Sequence, residues 1–97
     1  MLYEYVATYG DKYRIDGFTG HRELRKDHLE LLQGKVYYNS KNTLRIETTL
    51  LYEVGQFVSI GGSPYGGRKF RVLELSITDN PVLDKAEIIS RKVKNDN

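Results

Sequence analysis

The chain has 97 residues, 39% hydrophobic and 29% charged, which suffices for one domain around a single modest core. Lys and Arg total 15 against 13 Asp and Glu, too even a balance to show the basic excess that marks phosphate binding. The absence of cysteine excludes a disulfide framework, a thiolate metal site and a thiol nucleophile. No apolar run approaches the ~20 residues of a membrane span, and residues 1–10 lack the basic and apolar regions of a secretory signal.

Tyrosine is in excess, with eight Tyr beside three Phe and no Trp. Aromatic residues favour strands, and tyrosine also favours interfaces, where it offers apolar area and a hydroxyl with few rotors to freeze. Residues 2–9 alternate, with Tyr3, Tyr5, Ala7 and Tyr9 on one face, which predicts a strand. Gly10-Asp11 breaks it. A short second strand over 13–15 follows, and Asp16-Gly17 reads as a hairpin turn. In residues 20–33, Leu24, His28, Leu31 and Leu32 recur at i, i+4, i+7 and i+8. This spacing predicts an amphipathic helix over 20–33, capped by Thr19 and stopped by Gly34. A helix this short must lie against a sheet to be stable.

From Lys35 the period becomes two. Residues 35–38, a polar turn over 39–42, and residues 43–51 predict a β-hairpin that buries Leu44, Ile46, Thr48 and Leu50. Residues 56–60 form the next strand, 61–67 its glycine-rich loop, and 68–77 the longest strand. Its apolar positions are Phe70 and Val72, then Leu73, Leu75 and Ile77. The inward face therefore switches register at Val72-Leu73, which predicts a bulge or a sharp bend. Asp79-Asn80-Pro81 turns the chain, residues 85–93 form the last strand, and 92–97 is a polar tail. The expected fold is mainly β: a single domain over 1–97, a bent antiparallel SH3-like barrel carrying one amphipathic helix.

The residues that invite a chemical reading do not assemble into one. His21 and His28, seven apart, would stand ~10 Å apart along a helix, too far to share a metal ion with only Asp27 and Glu30 nearby. Asp79, Asp84 and Glu87 cluster beside Pro81, where turn formation explains them. Ser63 lies in GGSPYGG, which is not the G-x-S-x-G elbow of a nucleophilic serine. The same glycines lack the Lys-Ser/Thr ending of a P-loop and lead into a strand rather than a helix. The expectation is a protein without enzymatic activity, cofactor or metal. What remains is a hairpin tip bearing Tyr65 with Arg68, Lys69 and Arg71, a contact surface for a protein or a nucleic acid.

Two resemblances bear on its role. Gly55-Gln56-Phe57-Val58-Ser59-Ile60, followed by Ser63-Pro64-Tyr65-Gly66-Gly67 and Val72, resembles the KOW motif of SH3-like modules in transcription and ribosomal proteins, although the later glycine of that motif is replaced near Phe70. This likeness implies a module that binds RNA, DNA or a polymerase. Residues 65–75, continuing through Asp79 to 86–92, resemble the small head–tail adaptor, or head-closure, proteins of tailed bacteriophages. Gly67, Arg68, Phe70 and Val72 match their G-R-x-F/Y-x-V/I strand. That likeness implies a virion component, found in the virion or the host cytoplasm and away from membranes. It would form a ring with copies of itself and contact portal or tail proteins, with room for nucleic acid against the channel or the loop. A small phage-encoded inhibitor of a host enzyme is the third reading.

Overall fold

A computed structural model describes residues 1–94. Eight strands make one sheet: β1 (Leu2–Thr8), β2 (Arg14–Ile15), β3 (Arg22–Lys26), β4 (Glu30–Ser40), β5 (Thr43–Thr48), β6 (Val58–Tyr65), β7 (Lys69–Ile77) and β8 (Ile88–Lys94). The strand order is β2-β7-β3-β4-β5-β1-β8, with β6 also paired to β7. β7 is the hub. One edge carries β6 antiparallel, and the other carries β2 and then β3, both parallel to it.

The outermost strands, β6 and β8, are stitched together where they begin. Phe57 pairs with Glu87, Gly55 N–H donates to the Ile88 carbonyl at 2.8 Å, and Val58 N–H donates to the Ala86 carbonyl at 3.0 Å. The sheet therefore curls back on itself around a core that includes Tyr5, Leu24, Val36, Leu44, Ile46, Val58, Leu75 and Ile88, all fully buried. The predicted alternation in β1 and β5 supplies much of it, since Tyr5 and Ala7 face Ile46 and Leu44 in register.

Two tyrosines serve the core rather than the surface. The Tyr5 hydroxyl donates to the Leu50 carbonyl at 2.7 Å and accepts from Tyr52 N–H at 2.8 Å, tying the segment after β5 to β1. The Tyr9 hydroxyl donates to the Lys41 carbonyl. Burial pushes both phenols above their ordinary pKa, so they remain protonated donors.

The helix predicted over 20–33 does not form; β3 and β4 take its place as an antiparallel hairpin. Its turn is closed by Leu29 N–H donating to the Lys26 carbonyl at 3.0 Å. Asp27 and His28 lie at φ 53° and 62°, a conformation in which Asp, Asn and His are over-represented. The expected apolar stripe is not one face: Leu24 is fully buried, while Leu31 is 63% exposed. A lone short helix is marginal. The edge of β7 offers residues 23–26 a full backbone ladder against Glu74–Ile77 instead.

Three smaller expectations also change. Asp16-Gly17 does not close a hairpin, because β2 and β3 follow one another in the same direction along β7. The glycine loop is mostly strand, with β6 running through Gly61, Gly62, Ser63 and Pro64, so the turn shrinks to residues 66–68. The longest strand is β4, with 11 residues, rather than β7, with 9. The register switch is present: Gly61 pairs with Glu74 and Gly62 with Val72, leaving Leu73 as the extra, outward residue. Of the predicted polar tail, residues 92–94 belong to β8, and 95–97 lie outside the described residues. Among the described residues no helix is long and apolar enough to cross a membrane.

Candidate functional site

The tip of the β6–β7 hairpin gathers three of the four residues expected there. Tyr65 pairs with Lys69 and Ser63 with Arg71, which places Tyr65, Lys69 and Arg71 on one face. The Arg71 guanidinium stands 5.3 Å from the Tyr65 ring centroid, within cation–π range. Arg68 turns elsewhere. Its Nε donates to the Lys12 carbonyl at 3.2 Å and its Nη2 to the Asp11 carbonyl at 2.5 Å. Its own carbonyl accepts Arg14 N–H at 2.7 Å. Arg68 thus holds the segment that leads into β2, above an open cleft of about 560 Å³ lined by Asp11, Lys12, Tyr13 and Gly67.

The base of the same hairpin carries a polar cluster. Ser59 stands opposite Ser76 and Gly61 opposite Glu74, so these four share the face turned away from Val58, Ile60, Leu75 and Ile77. The Glu74 carboxylate lies over Gly61, where a Cβ would come within 1.7 Å of its Oε1. The β3–β4 turn then lowers His28 onto this face. Its backbone N–H donates to Ser76 Oγ at 2.8 Å, and Ser76 Oγ donates to Glu74 Oε2 at 2.8 Å. The imidazole Nδ1 bonds Glu74 Oε1, and Nε2 lies 3.1 Å from Ser59 Oγ.

An ionised carboxylate can only accept, so Glu74 places the imidazole proton on Nδ1 and leaves Nε2 to accept from the Ser59 hydroxyl. Ser59 and Glu74 are 5% and 8% exposed, whereas the His28 side chain is 39% exposed. Beside the cluster opens a cleft of about 250 Å³, lined by Tyr13, His28, Ser59, Gly61, Gly62 and Phe70 among others. Sequence reasoning missed this site by placing His28 on a helix and testing Ser63 instead of Ser59. The available signals were Val58-Ser59-Ile60 and Leu75-Ser76-Ile77, each with a serine between apolar residues on adjacent strands, and the turn-prone pair Asp27-His28.

The outer face of β1, β5 and β8 is a charge ladder. Arg45 Nη1 lies 3.0 Å from Glu4 and 2.6 Å from Glu47, and Lys92 and Lys94 reach the same carboxylates at 2.9 and 2.5 Å. The Lys92 hydrogen bond, with Arg45, outweighs burial and holds Glu4 below its ordinary pKa. Burial pushes Glu47 up, but Lys94 and Arg45 together bring it below its ordinary value. Each of these three cations is thus paired with Glu4 or Glu47. Among the described residues no three His, Cys, Asp or Glu side chains gather as metal ligands; His21 rests near the Tyr37 ring, 6.3 Å between centroids. No protein-family model, no curated protein and no solved structure matches the chain.

Proposed function

We infer that this chain is an assembly protein acting through protein–protein contact, an SH3-like barrel of the phage head–tail adaptor kind whose copies join in a ring and present a docking surface to a portal or tail protein. The observation that carries this reading is a pair of strand edges without neighbours. Among the described residues, β8 is paired along one edge to β1, and its other edge is covered only at Glu87 and Ile88; β6 past Ile60 pairs with β7 alone. Free edges accept a strand from another chain. Joining β8 of one copy to β6 of the next is head-to-tail, the contact from which rings are built. The exposed Phe57, Ile89 and Val93 beside β8 would be covered in such a joint. Native mass spectrometry and negative-stain microscopy of the full chain test this. Closed rings, or capture by a portal ring, are expected; a strict monomer at high concentration without portal affinity overturns it.

The Tyr65–Arg71 pair favours a second reading, a KOW-like module for RNA, DNA or a polymerase. Salt-dependent nucleic-acid binding that Arg68→Glu with Arg71→Glu abolishes would support it. Binding that survives those changes removes its surface.

A further inference from the structure

We propose that Ser59, His28 and Glu74 form a nucleophilic site that accepts the acyl group of a small apolar ester, an activity separate from assembly and contrary to the expectation of a chain without enzymatic function. Covalent acyl transfer needs a hydroxyl, a base within hydrogen-bond reach of it, and a third group that fixes the base in the right tautomer. All three are present in the required order. Ser59 Oγ lies 3.1 Å from His28 Nε2, and the opposite ring nitrogen is held by Glu74. Glu74 is itself fixed by Ser76 Oγ at 2.8 Å, and His28 is anchored through its backbone to the same Ser76. The carboxylate and the base are thus oriented from two sides, and the base comes from a turn brought in from a remote part of the sequence.

The hydroxyl also has somewhere to receive a substrate. Ser59 and His28 wall the cleft of about 250 Å³, whose other walls include the Gly61-Gly62 backbone and the side chains of Tyr13, Phe70 and Leu83. Lys12 also lines the cleft, beside Ile60 and Val82, and the volume with its mostly apolar walls suits a short acyl chain rather than a polymer. In the reaction, Ser59 Oγ bonds to the ester carbonyl carbon while its proton passes to His28 Nε2. The C–O bond to the alcohol breaks, and the departing alkoxide takes that proton. Water then attacks the acyl-Ser59 carbonyl, gives one proton to His28 Nε2, and releases the carboxylic acid as the Ser59 oxygen recovers the proton. Glu74 holds the His28 Nδ1 side of the ring throughout.

The test uses the full chain with two probes, p-nitrophenyl acetate for turnover and a fluorophosphonate for covalent capture, followed by peptide mapping of the adduct. A single phosphonyl adduct on Ser59 is expected. Hydrolysis by the wild type should exceed that of Ser59→Ala by on the order of 10²-fold, the low end of general-base contributions. Glu74→Gln should lower the labelling rate, because the carboxylate that orients the imidazole is lost. Folded wild-type protein that gains no adduct at Ser59, or gains it only on tyrosines or lysines, overturns the proposal. So does Ser59→Ala hydrolysing the ester as fast as the wild type. Adduct mapping needs no variant, so a substitution that fails to fold leaves the result decisive.

Discussion

The base and the tip of the β6–β7 hairpin belong to the same two strands and are built in opposite ways. At the base, Ser59, Gly61, Glu74 and Ser76 face a side chain delivered from the β3–β4 turn, and their polar atoms are bonded within the protein. At the tip, the Arg71 guanidinium stands over the Tyr65 ring, and a Cβ at Gly66 or Gly67 would meet nothing within 4 Å. A buried polar group costs free energy unless its partner is in place, so the base depends on distant segments. The Tyr65–Arg71 contact at the tip stays within the hairpin, and only Arg68 reaches beyond it to residues 11–14. The bulge at Leu73 lies between them, turning the inward face from Phe70 and Val72 to Leu75 and Ile77.

Glycine substitutions break this contrast most directly. Gly62 sits at φ 153°, and a Cβ there would lie 2.0 Å from the Arg71 carbonyl oxygen, a backbone atom fixed in the ladder. Gly62→Ala is expected to cost about 3 kcal/mol in chemical denaturation. Gly61→Ala pushes on the Glu74 carboxylate instead, and a loss of about 2 kcal/mol is expected, with a shift of the His28 ring resonances as its partner is displaced. Gly66→Ala, at φ 55° with open space around it, should cost only about 1 kcal/mol. Equal losses at 61 and 66 would show that base and tip do not differ as described.

A smaller effect is expected from Tyr5→Phe, which leaves the Leu50 carbonyl and Tyr52 N–H without their shared hydroxyl. The expected loss is about 1–2 kcal/mol; a melting temperature equal to the wild type would mean that water replaces the hydroxyl. The charge ladder adds a pH dependence. Glu4 and Glu47 both titrate below the ordinary 4.5, so in the unfolded chain they bind protons more readily than in the native one. Their contribution is complete above the ordinary carboxylate pKa and is lost as pH falls through the lowered values. The melting temperature should therefore drop on acidification below pH ~4.5. Glu4→Gln with Glu47→Gln should flatten that slope. The smallest effect belongs to the tip, where Tyr65→Ala should change stability by no more than about 0.5 kcal/mol while altering any contact the tip makes.

Much of the strand pattern could be read from the residues, as could little of the site. Alternation in 2–9 and 43–51 is legible because one face of each strand is buried and the other solvated, and the switch at Val72-Leu73 is legible because a bulge shifts that alternation by one. The 22–40 hairpin is not legible in this way: β3 contributes a single fully buried side chain, Leu24, flanked by charges, and its stability comes from the edge of β7. The cluster at Ser59 is hidden for the same reason. Its members come from β6, β7 and the β3–β4 turn, and local periodicity carries no record of a partner so far along the chain.

By itself, then, the sequence determines a mainly β chain with its chief turns and its bulge, because those follow from side-chain period and backbone preference within a few residues. The tertiary structure alone decides that residues 20–33 extend rather than coil, that Tyr5 and Tyr9 turn their hydroxyls inward, and that His28 meets Ser59 and Glu74. Those outcomes depend on non-local backbone pairing and on the need of each buried polar atom for a partner.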